Sequence, residues 1–597
     1  MMEDIIEQSV TRHQEKTNIL TSSFKCNRSV YECMIYDILK WLKDTDYKPI
    51  HELRKEFITN KYKNLQKKYR VFIKKSLLVS VYRMMIQEEK IENHPYVLLI
   101  LQKKHSRNIS GVSIITILTS PYPNGRSFSC KHNCYYCPNE PGQPRSYLKK
   151  EPAVARANVN HFDPLLQTED RLNSLYQNGH HIDKLEFIIE GGTFTEYPYD
   201  YIEEFFRTMI YTCNTFKQSP RRQKYSLKKE IEINKHSNYH IIGICVETRP
   251  DVLFEDGINW IKRFRHLGIT RVQLGVQHTN NTILKRVNRG HTIEHVYKAI
   301  HQLKNNGFKV DIHLMPDLPY SSPEEDKNMI YYSLKSPHIQ ADQIKLYPNQ
   351  VVPWTVIQEW YKQGKYKPYS ETHPEKLKEV LRYALDICPP WVRFPRVMRD
   401  IPDDYVQTEH YIPNMRQQLN VTSTMEIRNR ECGRHPEYSP DEAQLFVRKY
   451  RASYGDEYFI SYESVDRKCL FGFLRLRIPD TNVYTQFKTL YNKGLIRELH
   501  VYGNVQPVNH KNTMKHSGQH LGFGTKLLKK AEWISFQRNM KGTTIISGIG
   551  VVNYYEKRGY SLSDTYMNKD FIITRHQTIF LCILLTLTAF IIQIKLI

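Results

Sequence analysis

Three cysteines carry the first chemistry. Cys130, Cys134 and Cys137 stand in the spacing C-x3-C-x2-C, while the rest of the chain's 11 cysteines are scattered. Three thiolates on a tight loop suit three irons of a cubane 4Fe-4S cluster and leave the fourth iron open to an exogenous ligand. Zinc would want a fourth Cys or His close by, and His132 inside the loop is poorly placed to close on the same metal. So sparse a set excludes a disulfide scaffold. The polar, acidic first 16 residues carry no secretory signal, so a reducing compartment is expected, where clustered cysteines bind metal.

A second set lies near the other end. Gln519-His520-Leu521-Gly522-Phe523-Gly524-Thr525 opens a helix expected to run to about Gln537. Backbone N–H groups at a helix N-terminus can hold a pyrophosphate, and this Q-x-x-G-x-G pattern fits acyl-coenzyme A. A strand over 544–549 and the run Asn553-Tyr554-Tyr555-Glu556-Lys557-Arg558-Gly559-Tyr560 follow.

The elements that must position the cysteines are β-branched runs, each ending in polar or Gly-rich residues. Run 112–118 leads into the cysteine loop. Run 185–189 ends in Glu190-Gly191-Gly192-Thr193-Phe194, 240–246 in Glu247-Thr248-Arg249-Pro250, 271–276 in Gln277-His278, 309–314 in Met315-Pro316-Asp317, and 343–346 in Tyr347-Pro348. Helical segments separate them, so the expected product is a parallel barrel or partial barrel with its chemistry at the C-terminal strand ends. Past residue 400 the pattern changes. In 470–477, Leu474 and Leu476 alternate with Arg475 and Arg477, and 496–502 alternates likewise, as strands do.

The cysteine spacing, with an aromatic residue before the last cysteine, resembles the signature of radical S-adenosylmethionine (SAM) enzymes. In that class the open iron chelates SAM, and one electron cleaves it to a deoxyadenosyl radical. On this resemblance Gly191 and Gly192 let the backbone approach the SAM amino group, Glu247 is a candidate for the ribose hydroxyls and Lys345 for an anion. The Gly-rich helix opening, the strand and N-x-Y-x-K-x-G-[FY] resemble the GNAT acetyltransferase superfamily, in which the tyrosine can lie near the thioester.

The charge adds a partner class. Lys+Arg is 86 and Asp+Glu 62, giving a net charge of +24, which favours a polyanion, either nucleic acid or an anionic membrane. Residues 54–75 hold nine Lys/Arg and one Glu, interleaved with Tyr62, Tyr69 and Phe72. Basic groups neutralise phosphates and aromatics stack on unpaired bases, so RNA contact is expected here. Residues 578–594, TIFLCILLTLTAFIIQI, carry no charge. They are expected to form a tail anchor placing the rest of the chain on the cytosolic face of an intracellular membrane, the mitochondrial outer membrane or the endoplasmic reticulum.

A radical SAM barrel joined to a GNAT domain resembles the catalytic subunit family of Elongator. The resemblance covers about 108–571 and rests on SGVSIITILTSPYP (110–123), GGTF (191–194), ETRPD (247–251), LGVQ (274–277), NRGHT (288–292), MPDLP (315–319), RELHVYG (497–503) and GFGTKLL (522–528). It implies a tRNA carboxymethyluridine synthase acting at carbon 5 of the wobble uridine, with acetyl-CoA as substrate, a 4Fe-4S cluster on Cys130, Cys134 and Cys137, and SAM. It places acetyl-CoA contacts at 519–525, Tyr554 and Tyr555, the last two as the catalytic pair. Partners implied are tRNA, other Elongator subunits or a second copy. Some relatives bind zinc between the domains, and Cys388, Cys432 and His435 are the candidates here. The chain departs from the family at 424–431, TMEIRNRE, which lacks the cysteine often found there, and in its apolar tail.

The expected plan is α/β: a basic helical tRNA-binding region (1–95), a radical SAM partial barrel (96–400), a linker (401–445), a GNAT domain (446–575) and a C-terminal transmembrane helix (578–597). The rival reading is a protein lysine acetyltransferase, acting on histone or tubulin, with the barrel as scaffold and Glu463 or Glu498 as general base. A third is a membrane-tethered RNA-binding or assembly subunit.

Overall fold

The computed structural model describes residues 27–45, 50–103, 110–128, 130–254, 257–409, 414–419, 424–480, 485–503, 522–572 and position 588. The β-branched runs form six parallel strands in sequential order: β1 (Ser113–Leu118), β2 (Lys184–Glu190), β3 (His240–Thr248), β4 (Arg271–Gln277), β5 (Lys309–Leu314) and β6 (Gln343–Leu346). Sequential parallel order follows from βα crossovers that always step the same way. Odd-numbered residues of β2, Leu185, Phe187 and Ile189, are buried against the outer helices. Even-numbered ones, Lys184, Glu186, Ile188 and Glu190, stay partly open on the inner face.

The second sheet has seven strands, ordered β12-β13-β11-β10-β9-β8-β7. They are β7 (Gln444–Arg451), β8 (Gly455–Glu463), β9 (Leu470–Pro479), β10 (Gly494–Val501), β11 (Gly542–Ile545), β12 (Ser561–Ser563) and β13 (Tyr566–Asp570). Strands β10 and β11 run parallel and pair only over Gly494–Ile496 with Thr543–Ile545. Beyond that they part, leaving a gap in the sheet. On its other edge β10 shifts register against β9 between Ile496 and Glu498, a bulge that re-aims Arg497.

The sheets meet through charge. Leu474 and Leu476 pack in the second domain's core, as their alternation predicts, but Arg475 and Arg477 on the opposite side are buried rather than solvated. Arg497 donates to both oxygens of Asp342 at 2.7 Å and to Glu457 at 2.5 Å. Arg477 reaches Glu457 at 3.0 Å and Asn305 Oδ1 at 2.8 Å. Arg475 reaches Glu498 at 2.7 Å, and Lys309 also pairs with Glu498. Lys304 donates to Gln340 O at 2.7 Å and lies 3.5 Å from Glu457. Burial pushes the Asp342 carboxyl up, yet Arg497 and Lys304 outweigh it and hold it far below the carboxylate range. Burial brings Lys304 down to about 8.

The helices of 27–101 bury a separate core including Ile35, Phe57, Leu78 and Tyr82. This unit docks on the helix Pro164–Gln177: Arg83 lies 3.6 Å over the Tyr176 ring, and Gln102 bonds His180 at 2.7 Å. Its basic stretch differs from expectation in the aromatics. The Tyr62 hydroxyl donates to Ile73 O, and Tyr69 bonds Asp37 at 2.9 Å, so both serve the unit's own structure. Phe72 is 90% exposed. Within 401–445, Met415 and Leu419 join the barrel core and Ile427 the core of the second sheet.

Residues 578–597, the expected anchor, lie outside the described residues except position 588. Among the described residues no helix is long and apolar enough to cross a membrane. The expected transmembrane helix, and the membrane partner it carried, are corrected accordingly. At ~1.5 Å per residue an uncharged stretch this short reaches about 26 Å, near the minimum for the ~30 Å hydrocarbon core.

The charge network gives a paired prediction. Asp342→Asn leaves buried Arg497 with Glu457 as its one carboxylate partner and costs about 3–5 kcal/mol. Lys304→Met removes only one of several cations and leaves one carbonyl without a donor, costing about 1 kcal/mol. Denaturant midpoints at constant slope check the difference.

Candidate active site

The cysteine loop follows β1 and covers the C-terminal ends of the first sheet. Its backbone is tied to distant segments: Tyr135 N donates to Val287 O at 3.0 Å, Asn139 N to Trp354 O at 3.1 Å, and Ile357 N to Tyr135 O at 3.1 Å. Cys130 Sγ lies 3.5 Å from Thr193 Oγ1, in the turn after β2. Buried Cys134 meets two guanidiniums, Arg289 Nη1 at 3.5 Å and Arg249 Nη1 at 3.6 Å. Asp251 holds Arg249 at 3.1 and 2.8 Å, and Arg249 donates to Arg289 O at 2.6 Å. Arg289 Nη2 donates to Gly275 O at 2.5 Å. A Cβ at Gly275 would stand 2.8 Å from that nitrogen, so the glycine of LGVQ is what admits Arg289.

Burial pushes the Cys134 thiol up, but Arg289 and then Arg249 outweigh it and hold the thiol below its ordinary value. Burial, with Cys134 adding to it, pushes Cys137 up. Three soft sulfur donors, one biased toward thiolate, suit an iron–sulfur cluster. Among the described residues no three His, Cys, Asp or Glu side chains could together hold a single metal ion. The interdomain zinc expected on Cys388, Cys432 and His435 finds no such group either. Cys388 faces the carbonyls of Pro389 and Val392 at 3.5 and 3.8 Å. His435 engages both nitrogens, with Asn429 O at 2.6 Å and Glu437 at 3.0 Å.

The other strand-end residues gather beside the loop. Gly191 has φ +137°, and a Cβ there would lie 1.9 Å from Thr119 Oγ1, so the close approach at this glycine is made by the chain itself. Gly192 lies against Phe128 and Arg145 O. Glu247 and Lys345 pair with each other at 3.5 Å. The Tyr147 hydroxyl donates to Glu247 at 2.6 Å, and Lys345 donates to Gln273 at 2.5 Å. Burial pushes Glu247 up, but Lys345, then His313 and Tyr147, hold it below its ordinary value. Glu190 differs: burial, then the Glu247 charge, push it up to about 7.

In the second domain Gly522, at φ +70°, turns the chain into the helix Phe523–Gln537, whose first turn no side chain caps among the described residues. A Cβ on Gly524 would stand 2.4 Å from Tyr554 Oη. Arg558 stacks 3.6 Å over the Tyr554 ring and donates to Thr525 Oγ1 at 3.2 Å. Gly522, Gly524, Thr525, Tyr554 and Tyr555 all line one cavity, whereas Phe523 is buried against Tyr462 at 4.3 Å. Gln519, His520 and Leu521 lie outside the described residues. The cavity, about 1210 Å³, continues along the inner face of the first sheet to Glu190 and Lys345.

Sequence reasoning assigned no role to Arg249, Arg289, Tyr147, Glu190 or His500. The two arginines were legible as members of ETRPD and NRGHT, but their shared target was not. His500 lines the cavity, and its Nε2 meets Ser110 O at 2.9 Å. A carbonyl only accepts, so Nε2 carries the proton and Nδ1 is left as an acceptor. Burial holds this imidazole low, hence neutral.

Glu190 yields a pH prediction. Its folded pKa lies above the unfolded value, so the stability it adds is complete below about pH 4.5 and is lost as pH rises through about 7. Glu190→Gln therefore melts higher than wild type at pH 8, and the two converge by pH 5. Calorimetry across that range checks it.

Comparison with known proteins agrees with this geometry. The Radical SAM superfamily model matches residues 126–330, and the Radical_SAM C-terminal domain model matches 341–427. The tRNA uridine(34) acetyltransferase of Methanocaldococcus infernus is 36% identical over 564 residues, covering 90% of this chain and 98% of that protein. Human Elongator complex protein 3 is 35% identical over 490 residues, covering 79% of this chain and 86% of its own. The solved structure of the archaeal M. infernus Elp3 with an N-terminal deletion superposes with a TM-score of 0.65 at 33% identity, covering 78% of this chain and 100% of that one. With a cysteine loop on a parallel half-barrel, a second sheet whose Gly-opened helix lines a shared cavity and this likeness along nearly its whole length, the chain belongs to the family of Elongator complex protein 3 and the tRNA uridine(34) acetyltransferases.

Proposed function

We propose that this protein is an acyltransferase that modifies carbon 5 of the wobble uridine of tRNA, drawing a two-carbon unit from acetyl-CoA to give a carboxymethyluridine product. The carrying observation is the single cavity that runs from Gly522, Thr525 and Tyr554 to the strand ends beside the cysteine loop. Relatives named tRNA uridine(34) acetyltransferase support the substrate.

Cys130, Cys134 and Cys137 would hold a 4Fe-4S cluster, which with SAM supplies one-electron chemistry at an unactivated carbon. The chain's own residues do the rest. The uncapped N–H groups of the first helical turn after Gly522 take the coenzyme pyrophosphate. Tyr554, fixed under Arg558, stands beside the gap between β10 and β11 where the thioester arm lies. Glu247, kept ionised, accepts hydroxyl donors at the strand ends. Lys63, Lys67 and Lys74, all exposed, and Phe72 offer phosphate and base contacts to tRNA.

The protein-acetyltransferase reading loses its bases. Glu463 is buried and clamped by Arg448 at 2.8 Å through both oxygens, and by Arg430 at 3.1 Å. Glu498 is held at about 2: burial pushes it up, while Lys309 and Arg475 pull it down further.

Mass spectrometry of tRNA nucleosides with and without the gene tests the substrate, and loss of 5-carboxymethyluridine derivatives is expected. Replacing Lys63, Lys67 and Lys74 together by Glu lowers tRNA affinity at least tenfold and flattens log K against log salt by roughly two to three units. An unchanged slope in filter binding excludes this surface.

A further inference from the structure

A closed parallel barrel is filled by layers of inward side chains. The half-barrel here is hollow. On β1, β2, β4 and β6, alternate residues pack outward into the core while their neighbours line the cavity; β5 reaches it only at Lys309, and β3 only at His240, Ile242 and Gly243. On β2 those neighbours are Lys184, Glu186, Ile188 and Glu190. From the first to the last is six residues, or roughly 20 Å at ~3.3 Å per residue.

The two ends of this gallery carry different chemistry. At the N-terminal ends of the strands stands the acetyltransferase domain. A Cβ at Gly548 would meet Ile242 O at 2.1 Å, one at Gly550 would meet Ile241 N at 2.7 Å, and Lys309 at the start of β5 pairs with Glu498 of β10. At the C-terminal ends stand Thr193 and Arg249, which touch Cys130 and Cys134. The acyl-donor end and the cysteine loop therefore lie toward opposite ends of one sheet, and the cavity between them reaches Glu190, just before the turn whose Thr193 touches Cys130. Among the strand residues of the first sheet on this wall, Lys184, Arg271, Lys309 and Lys345 are cationic and Glu186 and Glu190 carry carboxyl groups, and the rest of the lining adds more arginines than carboxylates. The carboxyl of Glu190 is partly protonated near neutral pH. Such a wall suits a small carboxylate more than a cation or an apolar group.

We propose that the acetyl unit, released from coenzyme A as acetate, passes through the half-barrel interior to the cysteine end without entering bulk solvent. This rests on the function proposed above. In the release step, a water oxygen bonds to the thioester carbonyl carbon and the C–S bond breaks. Coenzyme A leaves as the thiol with one water proton, and the other proton is lost from the new carboxyl group. Nothing is oxidised or reduced.

Two plugs at different depths test the passage. Ile188→Trp fills the gallery from β2, and Gly243→Leu fills it from β3, where a Cβ already stands 3.6 Å from Glu186. Full-length protein with reconstituted cluster, SAM, acetyl-CoA and tRNA is assayed for coenzyme A thiol and for modified uridine. Thiol release within twofold of wild type, with uridine modification at least tenfold lower in both plugs, is expected. In a second arm the wild type receives carbon-13-labelled acetyl-CoA and a large excess of unlabelled acetate, and the product is expected to keep the coenzyme's label. Plugged variants that modify tRNA at the wild-type rate, plugs that lose thiol release equally, or label diluted to the bulk ratio overturn the gallery. Because the labelling arm needs no variant, a plug that fails to fold leaves the decision there. Absence of any modified uridine from the wild type instead overturns the proposed function, and the gallery with it.

Discussion

Everything about this molecule's working geometry depends on Asp342. Its carboxylate sits in the barrel, just before β6, and accepts both arms of Arg497 from the acetyltransferase sheet. Around it Glu457, Arg475, Arg477 and Lys304 are all buried. Charges in such a place carry a large desolvation cost, and they hold only when every donor is matched in position. An apolar seam could slide by an ångström at small cost, whereas a bidentate guanidinium–carboxylate pair fixes both distance and rotation. The contact thereby sets how the gap between β10 and β11 faces the barrel. The bulge after Ile496 is the local device that delivers Arg497 to it.

The same logic explains why the barrel is open. Six strands with one helical layer outside bury a continuous apolar face, and that face reaches Leu495, Ile546 and Tyr566 of the second domain. Stability is thus drawn from the outer face and the domain seam. The inner face is free to remain polar and hollow, as Glu186, Glu190 and Lys345 require.

Much of this was legible in the residues. The strand-end motifs fell at the C-terminal ends of parallel strands, because β-branched runs broken by helices leave few other topologies. The Gly-rich helix opening and the tyrosine pair came together on one cavity. What could not be read was which polar residues face protein. Arg475 and Arg477 alternate with leucines as any surface strand would, and only domain docking buries them. Tyr62 and Tyr69 looked like base-stacking groups beside lysines, but each finds a partner many residues away, Ile73 O and Asp37. The apolar tail lies outside the described residues apart from position 588, and its reading as a span rested on lack of charge and on a length at the lower limit.

The ties of the cysteine loop to Val287 and Trp354, and of Ile357 back to it, are backbone hydrogen bonds from segments far apart in the chain. Small metal domains commonly stay unfolded until their ion arrives, because nothing else shapes their ligand loops. Here the barrel shapes the loop. A cluster held here would therefore sit in a loop that the barrel helps to shape, and its assembly would depend less on folding than it does in such small domains.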